Sequence, residues 1–207
     1  MDEQHEKRTG RLFVFEGIDG SGKTTQRARV AEALRARGLP VVELFEPSDS
    51  PSGRRIRAIA RGDEPAVTPE EELELFLEDR RENVARHIGP ALAGGALVLL
   101  DRYYFSTIAY QGARGLDPDA IRRRNEAFAP PPDRVFYFRI DAPTALARIE
   151  RARGRPSAHF ERRDYLERVQ AIFDRLAAER ACFLTIDAST DADSITRRIL
   201  DEIEQFH

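Results

Sequence analysis

The chain has one cysteine, one methionine and no tryptophan among its 207 residues. A lone thiol, Cys182, excludes an intrachain disulfide and fits a reducing, cytoplasmic setting. Its neighbours in "ACFLTI" are apolar, which predicts a buried structural thiol rather than a reactive one. No apolar run approaches the ~20 residues that a membrane span needs, so no membrane partner is expected. Residues 1–10 are polar and carry no apolar stretch of the kind a secretory signal has; they read as a disordered tail. An excess of positive charge is missing too. With 33 Lys and Arg against 36 Asp and Glu, the net charge of -3 offers no broad basic field for nucleic acid. His5, His87, His159 and His207 are scattered, with no metal-ligand spacing. Lysine itself is scarce, Lys7 and Lys23 being the only examples. Wherever charge alone would serve, the chain uses arginine, so the lysine kept at 23 marks a place that suits a compact ammonium.

What is present is an ordinary balance of 41% hydrophobic and 33% charged residues, long enough for one α/β domain with a full core. Leu12–Phe15, Val41–Phe45, Leu97–Leu100, Val135–Phe138 and Phe183–Ile186 are near-continuous apolar runs rather than alternating ones. That is the pattern of parallel strands buried on both faces. Helical spacing covers 24–37, stopping at Gly38-Leu39-Pro40, and also 142–152, 161–180 and 191–206. Thr68-Pro69-Glu70-Glu71 opens a long helix, with an N-cap, a proline in the first turn and acids at the positive end. Its apolar positions run from Leu73 through Ile88 and Leu92 until Gly94-Gly95. Strands alternating with helices imply an α/β fold with a five-stranded, mainly parallel sheet flanked by helices. Pro130-Pro131-Pro132 reads as a rigid lead-in to the fourth strand, so residues 11–207 are expected to form one domain.

After the first strand comes "FEGIDGSGKTTQ", which fits G-x-x-x-x-G-K-[ST] at Gly17, Gly22, Lys23 and Thr24. Glycines let successive backbone N–H groups converge on phosphate oxygens, and the helix that follows adds its positive end. Gly17, Asp19, Gly20, Ser21, Gly22, Lys23, Thr24 and Thr25 are therefore candidate ATP contacts. Lys23 would reach the outer phosphates and Thr24 would ligand Mg²⁺. The motif is silent about the reaction. Asp101, ending the third apolar run, sits where a carboxylate steers Mg²⁺, and Arg102 stands where a water-activating ATPase needs a glutamate. An arginine there suits transfer to an anionic acceptor, although Asp-Arg alone is also an ordinary surface ion pair. "RIERARGRP" gathers Arg148, Arg151, Arg153 and Arg155. It reads either as a solvated helix end or as a lid, about 152–160, whose arginines spread transition-state charge.

Together, "FEGIDGSGKTTQ", "DRYYFSTIAYQGARG" and the arginine cluster resemble the thymidylate kinase family of P-loop nucleoside monophosphate kinases, from about Arg11 to the C-terminal helix. The resemblance implies a P-loop NTPase fold and a homodimer. It also implies phosphorylation of dTMP to dTDP by ATP and Mg²⁺ in dTTP biosynthesis. By the same resemblance Phe76 stacks on thymine, Arg80 contacts the base and Arg102 the acceptor phosphate. Thr107 and Gln111 lie near the base's polar edge, Tyr110 lies against the deoxyribose, and Asp19 and Glu161 lie near the 3′-hydroxyl and the metal. Asp187-Ala188-Ser189 resembles the loop that passes the donor adenine. Phe76 and Arg80 are four apart and so share a helix face, with core packing as the competing reading of Phe76. One loop departs from the family. Many members have Arg-Glu-Pro-Gly-Gly-Thr after strand two, where this chain has Phe45-Glu46-Pro47-Ser48-Asp49-Ser50. Glu46 stays beside the acceptor phosphate, but the arginine is gone, with Arg54, Arg55 or Arg57 as substitutes. A kinase for dUMP or another pyrimidine nucleotide is the nearest alternative. A nucleotide-hydrolysing switch would need the Asn-Lys-x-Asp tetrad that the chain lacks. A catalytically silent nucleotide-binding scaffold would have no use for an intact Lys23, Thr24, Asp101 and Arg102.

Overall fold

The computed structural model describes residues 9–153 and 163–206. Strands β1 (Arg11–Glu16), β2 (Val41–Phe45), β3 (Leu97–Asp101), β4 (Arg134–Arg139) and β5 (Phe183–Asp187) form one sheet in the order β2-β3-β1-β4-β5. Every pairing is parallel. The apolar runs locate each strand to within one residue at either end. One part of that reading is corrected. β1, β3 and β4 are buried nearly throughout, but β2 and β5 are largely half-buried or exposed. They are the sheet edges, and an edge strand has a neighbour on one side only.

The helices are α1 (Lys23–Ala36), α2 (Pro51–Arg61), α3 (Pro69–Asn83), α4 (Gly89–Ala93), α5 (Tyr104–Gly112), α6 (Pro118–Glu126), α7 (Ala142–Arg153), α8 (Arg163–Glu179) and α9 (Ala192–Glu204). Thr68 caps α3 as its sequence predicts. Its hydroxyl accepts from the Glu71 N–H at 3.2 Å, and the Glu71 carboxylate accepts from the Thr68 N–H at 2.9 Å. The helix expected to run on to Gly94 does not do so regularly. Val84–Ile88 forms a π-helical turn before α4. Pro90 has no N–H to continue the i→i−4 ladder, and the wider turn accommodates that gap. Periodicity does not mark α5, because it is buried almost all round and has no polar stripe. Among the described residues no helix is long and apolar enough to cross a membrane.

The core lies on both faces of the sheet, with the rings of Phe13, Phe15, Phe136 and Phe138 packed against one another across β1 and β4. The register decides what meets at the sheet's carboxyl edge. Phe15 and Phe45 both lie level with Asp101. Glu16-Gly17, Glu46 and Arg102 therefore emerge side by side. Because β1 sits between β3 and β4, the connections leave to opposite sides here, and the edge opens into a crevice.

Candidate active site

The loop after β1 is shaped by glycines at left-handed φ. At Gly17 a Cβ would stand 2.6 Å from the Phe138 carbonyl oxygen, and at Gly20 one would stand 2.4 Å from that of Ala145. Gly22 opens α1 with no side-chain cap, so the first N–H groups of a 14-residue helix face the loop. Lys23 curls back and donates to the Ile18 carbonyl at 2.8 Å and to Ser21 Oγ at 3.3 Å. Burial, followed by the charge of Arg102, pulls its ammonium down to about 8, against the carboxylates of Asp101, Asp19 and Glu16. Thr24 Oγ1 donates to Asp101 Oδ2 at 2.5 Å. A cavity of about 580 Å³ is lined by Asp19, Gly20, Gly22, Lys23, Thr24 and Thr25, together with Asp101, Arg102 and Arg148. Gly17 and Ser21, also expected as contacts, shape the loop without lining it.

Arg102 follows β3 with φ 68, a left-handed conformation rare for a residue with a side chain. Its guanidinium donates to the Gly17 carbonyl at 3.2 Å and to Ser106 Oγ at 2.9 Å, pairs with Asp19, and lies 5.2 Å over the Tyr110 ring. Behind it the buried Glu16 carboxylate accepts from Tyr103 N at 2.8 Å, Ser106 N at 3.1 Å and Ser106 Oγ at 2.6 Å. Burial raises the Glu16 carboxyl above the ordinary 4.5, with Arg102 and these bonds pulling the other way. Glu16 thus ties the turn that presents Arg102 to the end of β1.

A second cavity, of about 160 Å³, shares Asp19, Glu46, Pro47, Arg57 and Arg102 with the first. Phe76, Arg80, Thr107, Tyr110 and Gln111 line the rest of it together with Ile56, Ala60, Tyr103 and Ser106. Arg80 is 1% exposed and donates to Glu46 Oε2 at 2.8 Å, to Thr107 Oγ1 at 3.1 Å and to Asn125. Asn83 donates to the other Glu46 oxygen at 3.1 Å. Burial pushes the Glu46 carboxyl up to about 7; Arg80 opposes this and Asp79 adds to it. Gln111 Nε2 donates to Glu72, as does Arg114, while Gln111 Oε1 is buried with no hydrogen-bond partner among the described residues. The glycine-shaped loop and a second, largely apolar pocket with a few buried polar groups thus meet at one arginine-lined boundary.

A family model described as thymidylate kinase matches residues 15–199. The chain belongs to the thymidylate kinase family. It is 43% identical over 197 residues to a thymidylate kinase of Desulfotalea psychrophila, covering 95% of this chain and 96% of that one. A probable thymidylate kinase of Archaeoglobus fulgidus is 44% identical over 195 residues, covering 94% and 95%. The thymidylate kinase of Akkermansia muciniphila is 46% identical over 193 residues, covering 93% and 91%.

Of the acceptor residues implied by the thymidylate kinase resemblance, Asp19, Glu46, Phe76, Arg80, Arg102, Thr107, Tyr110 and Gln111 line the smaller cavity together. Phe76 also packs beside Ile56, Ile59 and Leu75, so its two readings coexist. Glu161, Arg155 and the side chain of Arg153 lie outside the described residues, as does most of the expected lid and residues 1–8 of the tail. Arg148 donates to the Ala188 carbonyl at 3.0 Å, which joins α7 to the Asp187-Ala188-Ser189 loop. Cys182 is half-buried rather than buried, since it precedes the edge strand β5.

In the atypical 45–50 loop, one of the three candidate arginines reaches the cavities. Arg57 lines both, donates to the Pro47 and Ser48 carbonyls at 2.5 Å each, and lies 5.9 Å over the Phe45 ring. Arg54 turns to the Asp49 carbonyl and Arg55 to Glu64. Asp79 holds the loop from below. It accepts from Ser48 N at 2.9 Å, Ser48 Oγ at 2.5 Å and Ser50 Oγ at 2.6 Å. Glu16, Glu72, Asp79, Asn83 and Asn125 are buried polar residues around the site that sequence reasoning missed. Nothing in the sequence singles them out: Glu72, Asp79 and Asn83 lie on α3, most of whose residues are charged or polar, so no stripe separates them from the solvated face.

Proposed function

We propose that this chain transfers the γ-phosphoryl group of ATP to dTMP, giving ADP and dTDP, with residues 11–207 acting as one kinase domain. The observation that carries this reading is the shared boundary: Arg102, Arg57, Asp19 and Glu46 line both the phosphate-loop cavity and the smaller pocket beside it. A switch that only hydrolyses nucleotide has no use for a second lined pocket. ATP is placed with its phosphates on the 17–25 loop and its adenine toward Arg148 and Ala188. The acceptor base is placed between Phe76 and the Thr107–Gln111 face, with its phosphate toward Arg102 and Arg57.

An acceptor phosphate monoester is already ionised near neutral pH, so catalysis here is positioning and charge neutralisation rather than base chemistry. Lys23 and Arg102 supply fixed cations at the transferred group, and Arg57 takes the place of the arginine missing at 45. Asp19 and Glu16 hold Arg102 in its orientation before substrate arrives. Thr24 and Asp101 suit Mg²⁺. They are hard oxygen donors already in contact, and the described residues hold no cluster of three or more His, Cys, Asp or Glu. A site with so few protein donors fits an ion that takes its remaining ligands from phosphate and water. When bound, the ion would offset phosphate charge. Homodimer assembly and a cytoplasmic location belong to the same proposal, the first open to sedimentation analysis.

The test is ADP release measured by a coupled assay with ATP and each nucleoside monophosphate in turn, with ATP alone as control. Turnover with dTMP well above the others supports the reading. ADP release that needs no acceptor overturns it. dUMP is the second acceptor to consider, because it presents the same ring N–H to Gln111.

A further inference from the structure

We propose that Glu72, with Arg114, determines base specificity by fixing the Gln111 amide so that only its oxygen faces the acceptor. The inference rests on the acceptor reading above and deepens it. Glu72 is 2% exposed and does not line the cavity. Its Oε2 accepts from both Gln111 Nε2 and Arg114 Nη1. A carboxylate oxygen that already takes a guanidinium N–H can only accept, so the amide turns its NH₂ toward Glu72. A free glutamine can rotate its amide and present either a donor or an acceptor. This one cannot without losing its bond to a buried charge. The atom left over is Oε1, buried and without a hydrogen-bond partner among the described residues, on a side chain that lines the pocket. Thr107, one turn earlier on α5, already accepts from Arg80, and its position is set.

An acceptor that cannot flip selects for a ligand with a donor at that place. Thymine and uracil carry a hydrogen on N3; cytosine carries a lone pair there. The first two satisfy Oε1, whereas cytosine sets two lone pairs against each other in a desolvated pocket, a repulsive element as well as a missing bond. The substrate class assigned to the pocket is therefore a pyrimidine monophosphate protonated at N3. Glu72 touches no substrate and is a positioning residue.

The test compares kcat/KM for dTMP with kcat/KM for dCMP in single preparations of wild type, Glu72→Ala, Glu72→Gln and Gln111→Ala. A ratio of two substrates within one preparation is independent of how much of the variant is folded. Glu72→Ala removes the acceptor that holds the NH₂, and the ratio is expected to fall by about tenfold or more. Glu72→Gln keeps an amide oxygen able to accept and is expected to retain most of the discrimination. An unchanged ratio in Glu72→Ala alongside a collapsed ratio in Gln111→Ala overturns the role of Glu72 and leaves the acceptor reading intact. Unchanged ratios in both overturn the placement of the base itself.

Discussion

Removing the Arg102 guanidinium tests the shared boundary most directly. In Arg102→Ala the fold keeps its sheet, but one of the two arginines common to both cavities is gone. Two unit charges ~4 Å apart at an effective dielectric near 20 interact by about 4 kcal/mol. If that attraction is realised chiefly as charge shifts between donor and acceptor, the loss in kcat is about 10³. Lys23 and Arg57 remain, which keeps the loss from growing larger. ATP binding rests on the 17–25 loop and should weaken by no more than about threefold, since the missing interaction belongs to the transition state. The assay is coupled ADP release for kcat, with ATP affinity measured separately by titration without acceptor. Backbone strain has its own control. At φ 68 an alanine is as strained as the arginine, whereas Arg102→Gly relieves about 1–2 kcal/mol. The glycine variant should melt higher than the alanine variant and turn over no faster. A kcat within tenfold of wild type, or ATP affinity falling in step with kcat, would refute the placement of Arg102 between two phosphates.

Other consequences follow from the same geometry. Glu46 rises from 4.5 to about 7 on folding, so folding takes up a proton there. Its contribution to stability is complete below pH 4.5 and is lost as pH climbs through 7, by about 3 kcal/mol. Urea melts across that window should show wild type losing stability relative to Glu46→Gln, and parallel curves would count against the burial argument. Asp101→Asn keeps the shape but removes the charge beside Thr24. The Mg²⁺ concentration for half-maximal activity should rise about tenfold or more, read from a metal titration at fixed ATP. A Cβ at Gly53 would sit 2.2 Å from the Ser48 carbonyl oxygen and 2.6 Å from Asp79 Oδ1. Gly53→Ala should therefore cost about 1–3 kcal/mol in denaturant unfolding while loosening the 48–50 loop.

The strands were legible because a parallel sheet buries its middle strands on both faces and leaves an unbroken apolar run. Leu97–Asp101 shows this, with every residue buried. Thr68 and Glu71 announced the start of α3, since a capping box is a local device. The π turn at Val84–Ile88 was not legible as such, because the apolar stripe continues across it. α5 escaped for a related reason: periodicity reports a boundary between core and water, and α5 has almost none. The phosphate loop could be read whole because its chemistry is contiguous in sequence. The Glu72–Gln111–Arg114 contact spans 39 and 42 residues and leaves no mark along the chain.

Sequence by itself determined the class of fold, the nucleotide-binding loop and the family, because each depends on neighbours a few residues apart. Only tertiary structure decided which of Arg54, Arg55 and Arg57 enters the site, that Glu46 and Arg80 are buried together, and which way Gln111 turns. Those outcomes depend on where β1, β2 and β3 end relative to one another and on which helix covers the edge. Burial then decides the rest, because a charge or amide removed from water must take whatever partner the fold brings within reach.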